Sequence, residues 1–551
     1  MRRSTLVNTV LAASIFLLQS AQADVTFDRL LNAAAEPHNW LTYSGSYASQ
    51  RHTSLRQIRP SNVGELELKW VFQAQSLESF ETTPLVVDGV MYLTEAPNTA
   101  VALDAATGRV FWRYQHNPTA DARPCCGRVN RGLAILGQTL FMATIDAKLI
   151  AIDAVTGQPL WQKSIADPSA GYAMTLAPLV VKDKVIIGVA GGEYGIRGFI
   201  AAHDATSGEE LWRFYTIPAP GEPGFETWAE GGDAWQHGGA SVWLTGSYDP
   251  ALDLTYWGIG NPGPDWNPAQ RPGDNLYSDS VVALDPDTGE LQWHFQFTPN
   301  DDYDYDAVQI PVLVDLPTTS LSSGKLMLWG NRNGFFYVLD RVTGEFIRGL
   351  PFVKVNWASG LDERGRPIET PQPLGSVTFP GVQGGTNWYS PSYSPSTGLF
   401  YLSAWENYGS VFRPAEAEYL PGRTFVGGIP ASPLAGAGNI PGIRRGPINN
   451  WTEALGNGAV IALDPRTGEQ RWRFPTTDVS SSGILTTATD LLFTASRDGY
   501  FYALDARTGR LLWRTSLGGQ GANGPMAYAV DDVQYVAASS GNGLFVFALR
   551  D

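Results

Sequence analysis

Short apolar runs broken by tight turns recur along most of the chain, and one order of hydrophobic and polar positions returns within them. Ala102-Leu-Asp-Ala-Ala-Thr-Gly-Arg-Val-Phe-Trp112 recurs as Ala151–Trp161, Ala202–Trp212, Ala283–Trp293, Ala462–Trp472 and Ala503–Trp513, and in weakened form, without the Trp, as Val338–Phe346. Leu66 to Trp70 reads as the tail of one more copy. Each copy is an apolar strand ending in Asp, a turn closed by Gly, and a second strand carrying Trp, which is a hairpin pattern. Further strand-like runs lie between copies, among them Pro84–Leu93 and Pro178–Ile187. Four strands per repeat predict an all-β fold, a β-propeller. A helical solenoid fails because Asp-x-x-x-Gly and the β-branched runs are poor helix formers.

A Trp at a fixed place in each repeat fits a wedge between adjacent blades, its indole N–H on a neighbouring backbone carbonyl. Seven copies plus the poorly patterned region 351–460 suit eight blades, with Gly543–Leu549 closing the ring against the first strands near Leu66 to Phe72. Two stretches break the repeat, 214–280 and 405–451, both rich in Gly and Pro. Insertions in repeat proteins collect on the binding face, so both are expected to roof a site on one face of the ring.

Residues 1–23 have the form of a secretory signal: Arg2-Arg3, an apolar core from Leu6 to Leu18, and Ala21-Gln-Ala23 as a cleavage site. The mature chain is then 24–551, one propeller domain, in the periplasm. The apolar run is short for a bilayer span and no other membrane span is expected. Without Arg2 and Arg3 the formal charge falls from −16 to −18, a surface that repels nucleic acid and anionic lipid. It suits a basic protein partner and is compatible with a homodimer. With only two Cys, no disulfide framework holds the fold.

The densest chemistry is Phe297-Thr-Pro-Asn-Asp-Asp-Tyr-Asp-Tyr-Asp306, with four Asp and no countercharge. Carboxylates so crowded raise one another's pKa unless a cation sits among them. Six His without paired spacing argue against zinc. Taken singly, Glu193 reads as a surface turn carboxylate, Asn261 as a turn residue before Pro262, and Trp243 as core.

Together and in this order, the repeats, Cys125-Cys126, Gly191-Gly-Glu193, Gly260-Asn-Pro262 and Thr298–Asp304 resemble the pyrroloquinoline quinone (PQQ)-dependent alcohol dehydrogenases, the periplasmic quinoprotein methanol and ethanol dehydrogenases. The resemblance covers essentially the whole mature chain. It implies a disulfide between Cys125 and Cys126 on one face of the quinone, which an oxidising compartment permits, and Trp243 on the other. Glu81, Arg131, Thr175, Gly191, Gly192, Arg332 and Asn387 match the cofactor's surroundings; Ala190 stands where several relatives have Ser, so one rim hydrogen bond is expected to be missing. Glu193, Asn261 and Asp304 match the metal site, whose hard oxygen donors suit a hard cation. Asp306 has the pattern of the lanthanide-dependent branch, since calcium-dependent relatives carry a small uncharged residue there. In a strand-like Asp-Tyr-Asp the side chains at i and i+2 share a face, so Asp306 is expected to reach the ion that Asp304 touches.

The implied reaction is oxidation of a primary alcohol, with Asp304 as general base, hydride passing to the quinone, and the cation and Arg332 holding the developing negative charge. The chain has no Cys-x-x-Cys-His for covalent haem, so a separate soluble cytochrome c is the expected electron acceptor. The alternatives are a calcium-dependent quinoprotein dehydrogenase and a non-catalytic envelope propeller. The second would need a lipid-attachment Cys and would have no use for the vicinal Cys or the acidic cluster.

Overall fold

The Asp-x-x-x-Gly turn sets the architecture because both of its fixed residues have a local task. In the copies at Asp104, Asp153, Asp204, Asp285 and Asp505 the carboxylate Oδ1 accepts the backbone N–H groups two and three residues on, which pins the turn. The closing glycines 108, 157, 208, 289, 344, 468 and 509 all sit at φ between +72° and +79°, where a side chain is strained. A second reason comes from the next blade. A Cβ on Gly157, Gly208, Gly289, Gly344 or Gly509 would lie 2.5–2.9 Å from the ring of Trp112, Trp161, Trp212, Trp293 or Trp472, and one on Gly108 would lie 2.6 Å from Trp70. Each Trp therefore lies flat on the turn of the following blade.

The indole N–H expectation holds for Trp112 to Ala154 O (3.1 Å), Trp212 to Pro286 O (2.9 Å) and Trp472 to Ala506 O (2.9 Å), while the Trp70 and Trp293 indoles find no partner among the described residues. Where the weakened copy lacks Trp, Leu350 covers Gly468 instead, 2.9 Å from the position of a Cβ. Trp212→Ala should cost about 3–5 kcal/mol, the usual range for truncating a buried Trp, because it empties the seam between two blades. A lowered urea midpoint with an unchanged far-UV spectrum is the expected reading.

The computed structural model describes residues 24–317, 322–431, 456–521 and 523–550. The signal segment 1–23 and its cleavage point lie outside them. Eight sheets of four or five strands are the blades of the propeller, and two two-stranded sheets, 358–361 with 367–369 and 411–414 with 428–431, lie outside them. In chain order blades 1 to 7 span 85–115, 134–164, 179–215, 247–296, 312–351, 392–476 and 484–516, each four strands paired antiparallel; His52–Thr53 adds a parallel fifth strand to blade 7. Blade 8 takes Met526–Val530, Val533–Ser540 and Gly543–Leu549 from the C-terminal end and Leu66–Gln73 from the N-terminal end, with Leu66 opposite Leu549 and Gln73 opposite Gly543. Closure thus follows the expected pairing, and it ties the N-terminal strand and the three C-terminal strands into one blade.

Region 351–460 is not an eighth blade of its own. It supplies the two inner strands of blade 6, Ser392–Ser394 and Leu399–Glu406, and an excursion before the third, Asn457–Leu463. The eighth blade is instead divided between the two chain ends, as the copy tail at Leu66 and the apolar run Gly543–Leu549 together signalled. Among the described residues no helix is long and apolar enough to cross a membrane.

Candidate active site

Backbone at the ends of the inner strands pairs both between neighbouring blades and, in blade 4, beyond the strands of one blade. Thr83 N–H donates to Arg131 O and Arg131 N–H to Thr175 O; Val242 pairs with Val189, Gly260 with Ser241, and Asp279 with Gly260. These contacts wall a cavity of about 310 Å³, at the small end of ligand pockets. Its lining includes Glu81, Cys125, Cys126, Arg131, Thr175, Ala190, Gly191, Glu193, Trp243, Asp304, Asp306, Arg332 and Asn387. Gly191 has φ +119°, and a Cβ there would strike Gly171 O at 2.2 Å. Gly192 and Asn261 are buried but are not in the lining.

One end of the cavity is built on Arg131. Its guanidinium pairs with Glu81 at 2.8 Å, donates to Thr175 Oγ1 at 2.9 Å, and lies 5.0 Å from the Trp243 ring and 4.9 Å from the Trp388 ring. Burial raises the Glu81 carboxyl and the Arg131 charge opposes that. Arg131 Nε is buried with no acceptor among the described residues. A donor left over between two aromatic faces suits a flat anionic ligand.

The other end is acidic. Arg332 bridges Asp304, at 3.1 Å, and Asp306. Asp306 also accepts the Asn261 N–H at 3.0 Å, and Asn261 Nδ2 donates to Asp265 at 2.7 Å, which leaves Asn261 Oδ1 as that side chain's electron-pair donor. Asp304 and Asp306 therefore converge as expected, but not through a strand. The stretch 301–306 is irregular and Asp304 is in the left-handed region at φ +63°. Asp301, whose carboxylate accepts the N–H groups of Tyr303 and Tyr305, folds the loop back on itself and forces that geometry. Holding Asp304 there costs roughly 1–3 kcal/mol.

Glu193 Oε1 lies 2.9 Å from Cys125 Sγ and 3.5 Å from Cys126 Sγ. The two sulfurs are bonded to each other, so neither carries a hydrogen and these are close contacts rather than hydrogen bonds. The three carboxylates Glu193, Asp304 and Asp306 do not present oxygens that all lie within 4.8 Å of one another; two of them are drawn to Arg332 instead.

Burial moves this cluster's protons. Glu193 is pushed up to about 7, by desolvation first and by the neighbouring Asp306 charge. Desolvation raises Asp304 well above the carboxylate range, with Arg332 pulling it back, and raises Asp265 and Asp279 with their acidic neighbours adding to it. Asp279 is fully buried and neither of its oxygens has a hydrogen-bond donor among the described residues. Around Arg332 and Arg271, six buried or cavity-facing carboxylates (193, 265, 279, 301, 304 and 306) stand against two guanidinium groups. An all-oxygen donor set with that charge deficit fits a bound hard cation.

Sequence reasoning missed Trp388, Gln383, Ser241, Val129 and Pro124, all in the lining. Ser241 was within reach, since it lies two residues from Trp243 in an extended segment. Trp388 lies next to Asn387 and carried no pattern of its own. The long stretch 405–451 does not line the cavity where it is described; segments 124–131 and 383–388 do.

An eight-bladed propeller with a flat-ligand pocket and a cation-seeking carboxylate cluster at its axis is the class of a cofactor-dependent redox enzyme. The family model for the PQQ glucose/ethanol/alcohol dehydrogenase β-propeller domain matches residues 40–367, and that for the outer membrane protein assembly factor BamB matches 456–551, the repeats of blades 6 to 8. The chain is 37% identical to the quinoprotein alcohol dehydrogenase PedH of Pseudomonas putida, over 98% of this chain and 92% of that protein. It is also 37% identical to the lanthanide-dependent methanol dehydrogenase of Methylacidiphilum fumariolicum, over 97% and 90%. The structure of a europium-containing methanol dehydrogenase superimposes with a TM-score of 0.85 at 34% identity, covering 95% of this chain and all of that one. The chain belongs to the PQQ-dependent alcohol dehydrogenase family, and its chemistry is that of an oxidoreductase.

Proposed function

We propose that this protein oxidises small primary alcohols to aldehydes in the periplasm, using PQQ and one lanthanide ion, and hands the electrons to a separate soluble cytochrome c. The observation that carries the reading is the Asp304–Arg332–Asp306 bridge, set among carboxylates that outnumber their cations at one end of the cavity.

Bound there, PQQ supplies a two-electron acceptor and the ion a Lewis acid beside it. Glu193, Asn261, Asp304 and Asp306 would hold the ion. Arg131, Thr175, Glu81 and Asn387 would hold the quinone's polar rim, with Trp243 on one face, the Cys125–Cys126 disulfide on the other, and Gly191 and Gly192 keeping the backbone close. Asp304 takes the hydroxyl proton as the alcohol's hydride leaves, and Arg332 holds negative charge as it develops. Desolvation raises the proton affinity of Asp304 and Arg332 limits the rise, which is the tuning a general base needs.

Export through the 1–23 segment accounts for the periplasmic location and for a disulfide in a chain with no other Cys. The purified protein should show a quinone absorbance that bleaches when alcohol is added; no bleaching with any primary alcohol counts against the reading. Mixing the reduced enzyme with periplasmic c-type cytochromes should reduce their haem, and failure with all of them would remove that acceptor class.

A further inference from the structure

The excursion in blade 6 is not needed to build that blade. Leu399–Glu406 and Asn457–Leu463 are antiparallel neighbours, Glu406 directly opposite Asn457, and a tight turn would join them. The chain instead sends residues 415–427 across the ring to two loops of blades 3 and 4.

On the blade 3 side, Phe425 N–H donates to Glu193 O at 2.7 Å. The rings of Phe425 and Tyr419 rest on Gly195, which closes the turn carrying Glu193: a Cβ on Gly195 would lie 2.9 Å from either ring. Tyr419 in turn stacks on His237, centroids 3.5 Å apart and planes 19° apart, and meets Phe425 edge-on at 5.7 Å. On the blade 4 side, Val426 bridges Asp265, Asn267 Nδ2 donates to Ala415 O at 2.9 Å, and Gln270 and Ala417 exchange two hydrogen bonds of 2.9 Å. Asp265 is the residue that orients the Asn261 amide. One strap thus touches the turn of Glu193 and the loop of Asn261, and neither Tyr419 nor Phe425 lines the cavity.

We propose that segment 415–427 is a brace that sets the spacing between Glu193 and Asn261, with Tyr419 and Phe425 as its positioning residues. The inference rests on the assignment of those two residues to the ion. A three-residue turn such as Gly192–Tyr194 has little rigidity of its own, whereas ion ligands must be held within about 0.5 Å of their working geometry. The brace supplies that rigidity from outside by stacking and backbone pairing.

The test is release of the ion from intact holoenzyme to a chelator, with the enzyme loaded with terbium in one arm and calcium in the other. Tyr419 is half-buried, so Tyr419→Ala should keep the fold, checked by near-UV circular dichroism. Ion release should be about tenfold faster in Tyr419→Ala and in Phe425→Ala, and Tyr419→Phe, which keeps the ring, should restore the wild-type rate. The loosening should be similar for both ions, since geometry rather than charge is disturbed. Wild-type release from folded Tyr419→Ala, or an equal loss in Tyr419→Phe, overturns the brace. A wild type that holds calcium and not terbium overturns the lanthanide reading and leaves the brace to the calcium arm. A wild type that holds neither ion overturns both.

Discussion

Asp304→Asn should leave the quinone bound and remove nearly all alcohol oxidation, a loss of about 10²–10⁴-fold in kcat, the range a positioned general base supplies. Asn keeps the size of the side chain and can still accept from Arg332, which at 3.1 Å is Asp304's charged partner. Arg332 also keeps its second partner, Asp306, and its contact to Val382 O, so the guanidinium should not move. Nothing in the exchange disturbs Arg131, Thr175 or Trp243 at the far end of the cavity, which is why the quinone absorbance should persist. The measurement is steady-state turnover beside the spectrum of the purified variant. Near-normal turnover would remove Asp304 from the role of base, and loss of the quinone would make it a binding residue.

The second large effect concerns the ion. Metal-free protein given PQQ should regain alcohol oxidation with lanthanum, cerium or a neighbouring lanthanide and regain little with calcium. If all six carboxylates around Arg271 and Arg332 are ionised, they exceed those cations by four charges, before the quinone adds its own. Coulomb energy scales with the ion's charge, so a trivalent ion gains about half again what a divalent one does from the same surroundings. Asp306→Ala should abolish the lanthanide response. Because Asp306 also accepts the buried Asn261 N–H, the Ala variant leaves that donor unpaired at about 1–3 kcal/mol, whereas Asp306→Asn keeps the acceptor and removes only the charge. A lanthanide response lost in both variants assigns the effect to charge. Full activity with calcium alone, indifferent to either substitution, would refute the lanthanide assignment and leave the quinoprotein reading standing.

Much of this molecule was legible in its sequence because the determinants are local. The Asp-x-x-x-Gly turn is held by hydrogen bonds spanning three residues, so its recurrence announced the strands and nearly all the blades. The Trp positions announced the seams. Glu193 and Asp304 were legible through the short motifs Gly191-Gly-Glu193 and Thr298–Asp304, the first marked by Gly191 at its positive φ, whereas Arg131 and Arg332 carried no motif of their own and entered only as positions that the family resemblance matches.

The tertiary structure decided whatever depends on groups far apart in the chain. It completed blade 8 with Met526–Val530 and Val533–Ser540, strands that carry no copy of the repeat, beside the expected pair of Gly543–Leu549 and Leu66–Gln73. It put Asp304 in the left-handed region because Asp301 binds the turn behind it, where alternation alone suggested a strand. It set Trp388 across Arg131 from Trp243, residues that are distant in sequence and meet only at the axis. It also carried 415–427 from blade 6 to the loops of blades 3 and 4. Side-chain period and turn chemistry report what a residue does to its near neighbours in the chain. Where the ring brings loops of several blades together, each contact is fixed by closure of the whole, and that information lies in no single stretch.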